Sequence, residues 1–164
     1  YLFDLPYSKI TAVIHPQSVV HSMVEFVDGS TIAQASPPNM KSPIAYAISG
    51  ASRIPKATAP IDWMTKQTWD FVPIDGAKFP AVELARRCGE LGGGLPAIFN
   101  AANEVAVAAF LNGAISFTKI VDVVDATVQK LGGNSPVTIR SLSDVSAIED
   151  DARVLANQLV QERK

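Results

Sequence analysis

Apolar and polar positions change rhythm twice along the chain. From Ile10 to Ala35 they keep the period of two of half-buried strands; from Ala51 to Lys78 no period holds; from Phe79 to Val160 they recur at helical spacing. Residues 1–9, YLFDLPYSK, read as the tail of an earlier element, and the β-branched run Ile10-Thr11-Ala12-Val13-Ile14 predicts a strand ended by Pro16. The stretch from His15 to Met40, HPQSVVHSMVEFVDGSTIAQASPPNM, then holds Asp28-Gly29 between two strand-like runs, which predicts a β-hairpin with a two-residue loop. Such a loop sets Val27 opposite Ser30, Glu25 opposite Ile32, Met23 opposite Gln34 and His21 opposite Ser36. One face then carries His21, Met23, Glu25, Ile32, Gln34 and Ser36; the other, with Val20, Ser22, Val24, Phe26, Thr31, Ala33 and Ala35, is mostly apolar and small. Ser42-Pro43 predicts an N-cap and first-turn proline for a helix to Ser49, stopped by Gly50.

The later helices are more strongly marked. Pro80 opens one with Val82, Leu84, Ala85 and Cys88 inside, ended by Gly92-Gly93-Gly94. Pro96 opens a second, apolar nearly all round to Leu111, which belongs at the centre of a bundle. Ser116 is the expected N-cap of a third, which runs to Leu131 before Gly132-Gly133, and Ser146 with Glu149 predicts a capping box for the last. The fold class expected is α+β: a partial sheet with a hairpin over residues 1–49, a connector over 50–75, and a four-helix, bundle-like domain over 76–164. Three strands and one short helix leave a sheet face or edge uncovered, so something outside this sequence is expected to complete that sheet.

Composition narrows the function classes. The chain has 164 residues, 48% hydrophobic and 18% charged, with a net charge of −2 and no basic stripe, which argues against a nucleic-acid partner. No apolar run reaches the roughly 20 residues of a membrane span. The single cysteine, Cys88, makes no internal disulfide and fits a reducing, cytoplasmic setting. The absence of an initial Met suggests a fragment.

Candidate chemistry concentrates in the hairpin. His15 and His21 stand six apart with Pro16 between them, and Glu25 lies roughly 13 Å beyond His21 along a strand, so the three are a poor metal site. His15 reads as an interior histidine bonded to backbone; His21 stands evenly between a site wall and a satisfied interior residue. Ser18 has no neighbouring base that would make it a nucleophile, and fits better as an anion- or water-binding hydroxyl. Gly92-Gly93-Gly94 lacks the preceding strand and following Lys-Ser or Lys-Thr of a phosphate loop, and no G-x-G-x-x-G occurs. Asn100, Asn103 and Glu104 form one polar patch on the central helix, expected to bond backbone of the connector or sheet module. Trp63 and Trp69 are expected to pin the connector onto a core.

The HPQSVVHSMVEFVDGSTIAQASPPNM block, FPAVELA from Phe79 and NAANEVAVAAFL from Asn100 together resemble the 1-deoxy-D-xylulose 5-phosphate reductoisomerase family over essentially the whole chain. The resemblance is to the C-terminal part: the end of the catalytic domain followed by the C-terminal helical domain. It implies an intact, homodimeric oxidoreductase with an N-terminal Rossmann domain. That enzyme converts 1-deoxy-D-xylulose 5-phosphate to 2-C-methyl-D-erythritol 4-phosphate with NADPH and Mg2+ or Mn2+, in non-mevalonate isoprenoid biosynthesis. It further implies that Ser18 and His21 are substrate-binding, that Met40 lines both the substrate and the nicotinamide pocket, and that the sheet module contributes to the homodimer contact. The cation's ligands and most phosphate ligands fall in the missing N-terminal segments, so this chain alone is expected to bind neither cofactor and to be inactive. Gly50-Ala51-Ser52 before Arg53 departs from the family's usual Trp-Pro there. The alternative is a non-catalytic dimerisation or interaction module derived from the same family.

Overall fold

The computed structural model describes residues 4–50, 52–132 and 137–162; the expectations that rest on Tyr1 to Phe3, Ala51 and Gly133 lie outside them. The chain divides into two compact units, Thr11–Ile74 and the residues up to Ile10 together with those from Asp75 onward. The class is α+β as expected: two small two-stranded sheets and a group of packed helices.

The helical unit is built on α2 (Ala81–Leu91), α3 (Leu95–Leu111), α4 (Lys119–Leu131) and α5 (Leu142–Glu162). The helix with apolar residues on every side, α3, is central as expected, and packs on α2, α4 and α5. Ile98, Ala101, Ala102 and Ala106 of α3, Val123 and Val128 of α4 and Ala152 and Ala156 of α5 are almost wholly removed from water. The alanines let the helices approach closely, and the buried Thr127 hydroxyl is satisfied by donating to Val123 O at 2.8 Å. Cys88 lies in this core, and burial pushes its thiol pKa up.

In this unit two expected caps fail. Ser116 makes no cap bond to α4; its carbonyl accepts the Lys119 N–H at 3.0 Å in a turn ahead of the helix. Ser146 is inside α5 and donates back to Leu142 O at 3.3 Å, because the helix begins earlier, where Ser141 Oγ accepts the Asp144 N–H at 3.2 Å. The polar patch on α3 is also redirected. Asn100 donates to Glu104 at 3.0 Å, and Glu104 accepts from Arg153 at 2.6 Å, so the tie runs to α5 rather than to connector or sheet. The glycine run has a steric reason: Gly93 forms a bridge with Val137, and a Cβ on Gly93 would meet Val137 O at 2.3 Å.

In the other unit, β1 (Val13–Ile14) is shorter than the expected Ile10–Ile14 and pairs antiparallel with β4 (Val72–Pro73), so the end of the connector returns to form a sheet. Gln17 reinforces that return, donating to the Asp70 carboxylate at 2.5 Å and accepting the Asp70 N–H at 3.2 Å. The hairpin is present as β2 (Val20–Glu25) and β3 (Thr31–Ala35). Its register is one residue from the expected one: Glu25 pairs with Thr31, Val24 with Ile32, Met23 with Ala33 and Ser22 with Gln34. The loop has three residues, Val27-Asp28-Gly29, because Gly29 N–H bonds Phe26 O at 3.0 Å and Phe26 N–H bonds Ser30 O at 2.8 Å. Gly29 takes φ +84°, the left-handed residue that this loop needs. Asp28 is spent on the turn, accepting from Ser30 N–H at 2.9 Å and from its hydroxyl at 2.6 Å, and those bonds hold its pKa low. The short helix α1 (Lys41–Ile48) starts before the expected Pro43, and Asn39 Oδ1, not Ser42, accepts an early N–H, that of Lys41, at 2.9 Å. Trp63 packs on Trp69 at 5.8 Å but is 67% exposed; no described residue of Thr11–Ile74 is buried, so no core lies beneath them.

Candidate functional site

The hairpin, α1 and the loop after α1 enclose a cavity of about 570 Å³ in the Thr11–Ile74 unit, and Ser18, His21 and Met40 all line it. Each arrives there by a different local device. Ser18 closes the turn after Pro16, with its N–H donating to His15 O at 3.0 Å, and holds φ +51°, a conformation costly for a residue with a Cβ. Met40 occupies the position before α1, where the Asn39 side chain bonds across it to Lys41.

His21 depends on a β-bulge. Ser22 pairs with Gln34 but Val20 pairs with Ala35, so His21 is an extra residue with no partner of its own in β3. Strict alternation would send His21 to the face opposite Ser22 and Gln34; the bulge re-aims it, and His21 and Gln34 line the same cavity. The expected grouping of His21 with Gln34 and Ser36 therefore holds, but through a register shift and a bulge that offset each other. Met23 and Glu25 do not join them: they pair with Ala33 and Thr31. Ile32 does not line the cavity either.

His21 Nε2 lies 3.0 Å from Ser36 O, and since a carbonyl only accepts, Nε2 carries the proton of that bond. His15 is bonded to backbone as expected: its Nδ1–H donates to Asp70 O at 2.8 Å and its ring stacks on Phe71 at 4.6 Å. It does not line the cavity.

Sequence reasoning missed Asn39, Tyr46 and Arg53 as lining residues. Ser42 and Tyr46 share one side of α1 at the i, i+4 spacing, a signal that was legible; Arg53, brought in from a loop, had none. Among the described lining residues Arg53 alone carries a fixed charge, its guanidinium 4.3 Å from the Tyr46 ring centroid, and none of them is a carboxylate. Among the described residues no group of three or more His, Cys, Asp or Glu side chains is placed to hold a metal ion. No helix among them is long and apolar enough to cross a membrane.

A family model described as the DXP reductoisomerase C-terminal domain matches residues 35–155. The 1-deoxy-D-xylulose 5-phosphate reductoisomerase of Kitasatospora griseola is 53% identical over 158 residues, which cover 96% of this chain and 41% of that protein. That of Nocardia farcinica is 52% identical over 161 residues, 97% of this chain and 40% of that protein. Among solved structures, the reductoisomerase from Zymomonas mobilis in complex with NADPH superposes with a TM-score of 0.84 at 41% identity, over 97% of this chain and 41% of that one. A DOX-P reductoisomerase in complex with NADPH, fosmidomycin and magnesium gives a TM-score of 0.83 at 37% identity, over 98% of this chain and 41% of that one. The chain thus spans about two fifths of the length of the relatives it matches.

Proposed function

The chain belongs to the DXP reductoisomerase C-terminal domain family, and from that premise we propose that it is the C-terminal part of an enzyme converting 1-deoxy-D-xylulose 5-phosphate to 2-C-methyl-D-erythritol 4-phosphate with NADPH and a divalent cation. The observation that carries the reading is the convergence of Ser18, His21 and Met40 on one cavity of the hairpin unit. In this reading they form one wall of the substrate site. The Ser18 hydroxyl and the His21 ring, locked by Ser36 O, orient the sugar's oxygens, and Met40 packs against sugar and nicotinamide. A bulged, turn-strained wall of this kind holds its side chains in place before substrate arrives.

The residues present do not fit the cation: no cluster of ligating side chains forms among those described, and a hard divalent ion needs several converging oxygens. Nor does the chain contain a G-x-G-x-x-G turn for a dinucleotide. Both sites are assigned to the remaining three fifths of the protein, as is the surface that completes the uncovered hairpin sheet. The intact enzyme is a homodimer contacting through the sheet module, and this chain alone is inactive. The test is NADPH oxidation with 1-deoxy-D-xylulose 5-phosphate and Mg2+ or Mn2+. Turnover by the intact protein and none by residues 1–164 is expected; an inactive intact protein overturns the reading.

A further inference from the structure

Beside the first cavity lies a second, of about 470 Å³, and Gln34, Ser36, Ser42 and Arg53 line both. The second adds Lys56, and no carboxylate lines either one among the described residues. The two together form a largely apolar concavity whose only charged lining residues, among those described, are the cations Arg53 and Lys56, in a chain whose net charge is −2. Arg53 sits at their junction with no salt bridge to any described carboxylate. Its position is fixed from two sides. The Tyr46 ring holds the guanidinium at 4.3 Å. At the end of α1, Ser49 Oγ donates to Ser52 O at 2.6 Å and also lies 3.1 Å from Tyr46 O, which pins the backbone just before Arg53. A guanidinium that is pre-positioned and left without an acid partner beside a hydroxyl-lined cavity is suited to a doubly charged phosphate ester.

We propose that Arg53 is a specificity-determining residue of the site: its uncompensated charge draws the anionic sugar phosphate to the wall formed by Ser18, His21 and Met40. The proposal rests on the reductoisomerase reading. Arg53 acts here as a charge that raises the local concentration and affinity of the anion, alongside phosphate ligands supplied by the rest of the protein, and it takes no part in bond-making.

The experiment compares the intact protein with its Arg53→Gln and Arg53→Lys variants at low and at physiological ionic strength. Arg53→Gln is expected to raise KM for the sugar phosphate by about three- to tenfold at low salt, an effect that shrinks as salt screens the charge. KM for NADPH and kcat stay within about twofold, and Arg53→Lys recovers most of the loss. An unchanged KM in Arg53→Gln, or equal losses in Gln and Lys variants that salt does not alter, overturns the proposal; the second pattern would assign Arg53 to packing on Tyr46. Turnover by the unsubstituted protein tests the underlying reading separately. Should it be absent, a thermal-shift titration with inorganic phosphate still decides the anion assignment: weaker binding by Arg53→Gln supports it, and equal binding overturns it.

Discussion

The helical unit and the hairpin unit treat their apolar residues in opposite ways. In the first, Ile98 and Val128 are 1% exposed; in the second, Val24 is 57% and Ile32 is 64% exposed although the two are paired across the hairpin ladder. The helical residues repeat at three and four and find their partners within this chain. The strand residues alternate correctly, but two ribbons and an eight-residue helix supply nothing thick enough to cover them. A correct local pattern therefore does not by itself bury a face; on the reading proposed above, the layer that covers the hairpin belongs to another part of the protein.

Truncating one apolar side chain in each unit separates the two most sharply. Ile98→Ala should cost the helical unit about 2–5 kcal/mol, whereas Ile32→Ala in this chain should cost less than about 0.5 kcal/mol, both read from chemical denaturation. Similar losses at the two positions would mean that the hairpin has a core after all. A smaller effect is expected at Gly93, where a Cβ meets Val137 O at 2.3 Å and φ is +57°. Gly93→Ala should cost about 1–3 kcal/mol in thermal unfolding, and a neutral result would show that the approach of Val137 is not needed.

In the intact protein, His21→Gln should raise KM for the sugar phosphate about tenfold and leave KM for NADPH within about twofold. Equal losses for both ligands would remove His21 from the substrate wall.

The smallest effect concerns the Glu104–Arg153 pair. The Arg153 hydrogen bond and charge hold the Glu104 carboxyl below the usual range. A folded-state value below the unfolded one stabilises above the unfolded pKa, about 4.3, and that contribution fades as pH falls through the folded value. Acid unfolding followed by circular dichroism should therefore show a smaller loss of stability between about pH 4.5 and 3 in Glu104→Gln than in the unsubstituted chain. Identical curves would show that the exposed pair contributes nothing.

How much was legible follows the same division. The order of the helices, the central place of α3 and the glycine stops could be read because helical periodicity and turn residues act locally. The cap at Ser146 was misread because Ser141, Ser143 and Ser146 stand close together and the helix closes its first turn at the earliest of them, and that at Ser116 because α4 begins after Thr118 with no side-chain cap bond at all. The hairpin was legible in Asp28-Gly29, but its register was not: Gly29 serves a three-residue loop as readily as a two-residue one, and the choice rests on the backbone bonds of Phe26. Ser18 and His21 could be read as candidates from the residues, but their substrate-binding roles, and Met40 altogether, came through resemblance to a family, since neither the bulge at His21 nor the positive φ at Ser18 has a sequence signature. Arg53 was missed because a loop carries it to the cavity, with no periodicity to mark it.

On the proposed reading the helical unit is self-sufficient, whereas the hairpin sheet is one wall completed by the rest of the protein. Amide hydrogen exchange of residues 1–164 alone, set beside the intact protein, tests it most directly. Strong protection of α3 is expected in both samples, and protection of β2 and β3 only in the intact protein. Equal protection of the hairpin in the two samples would contradict it.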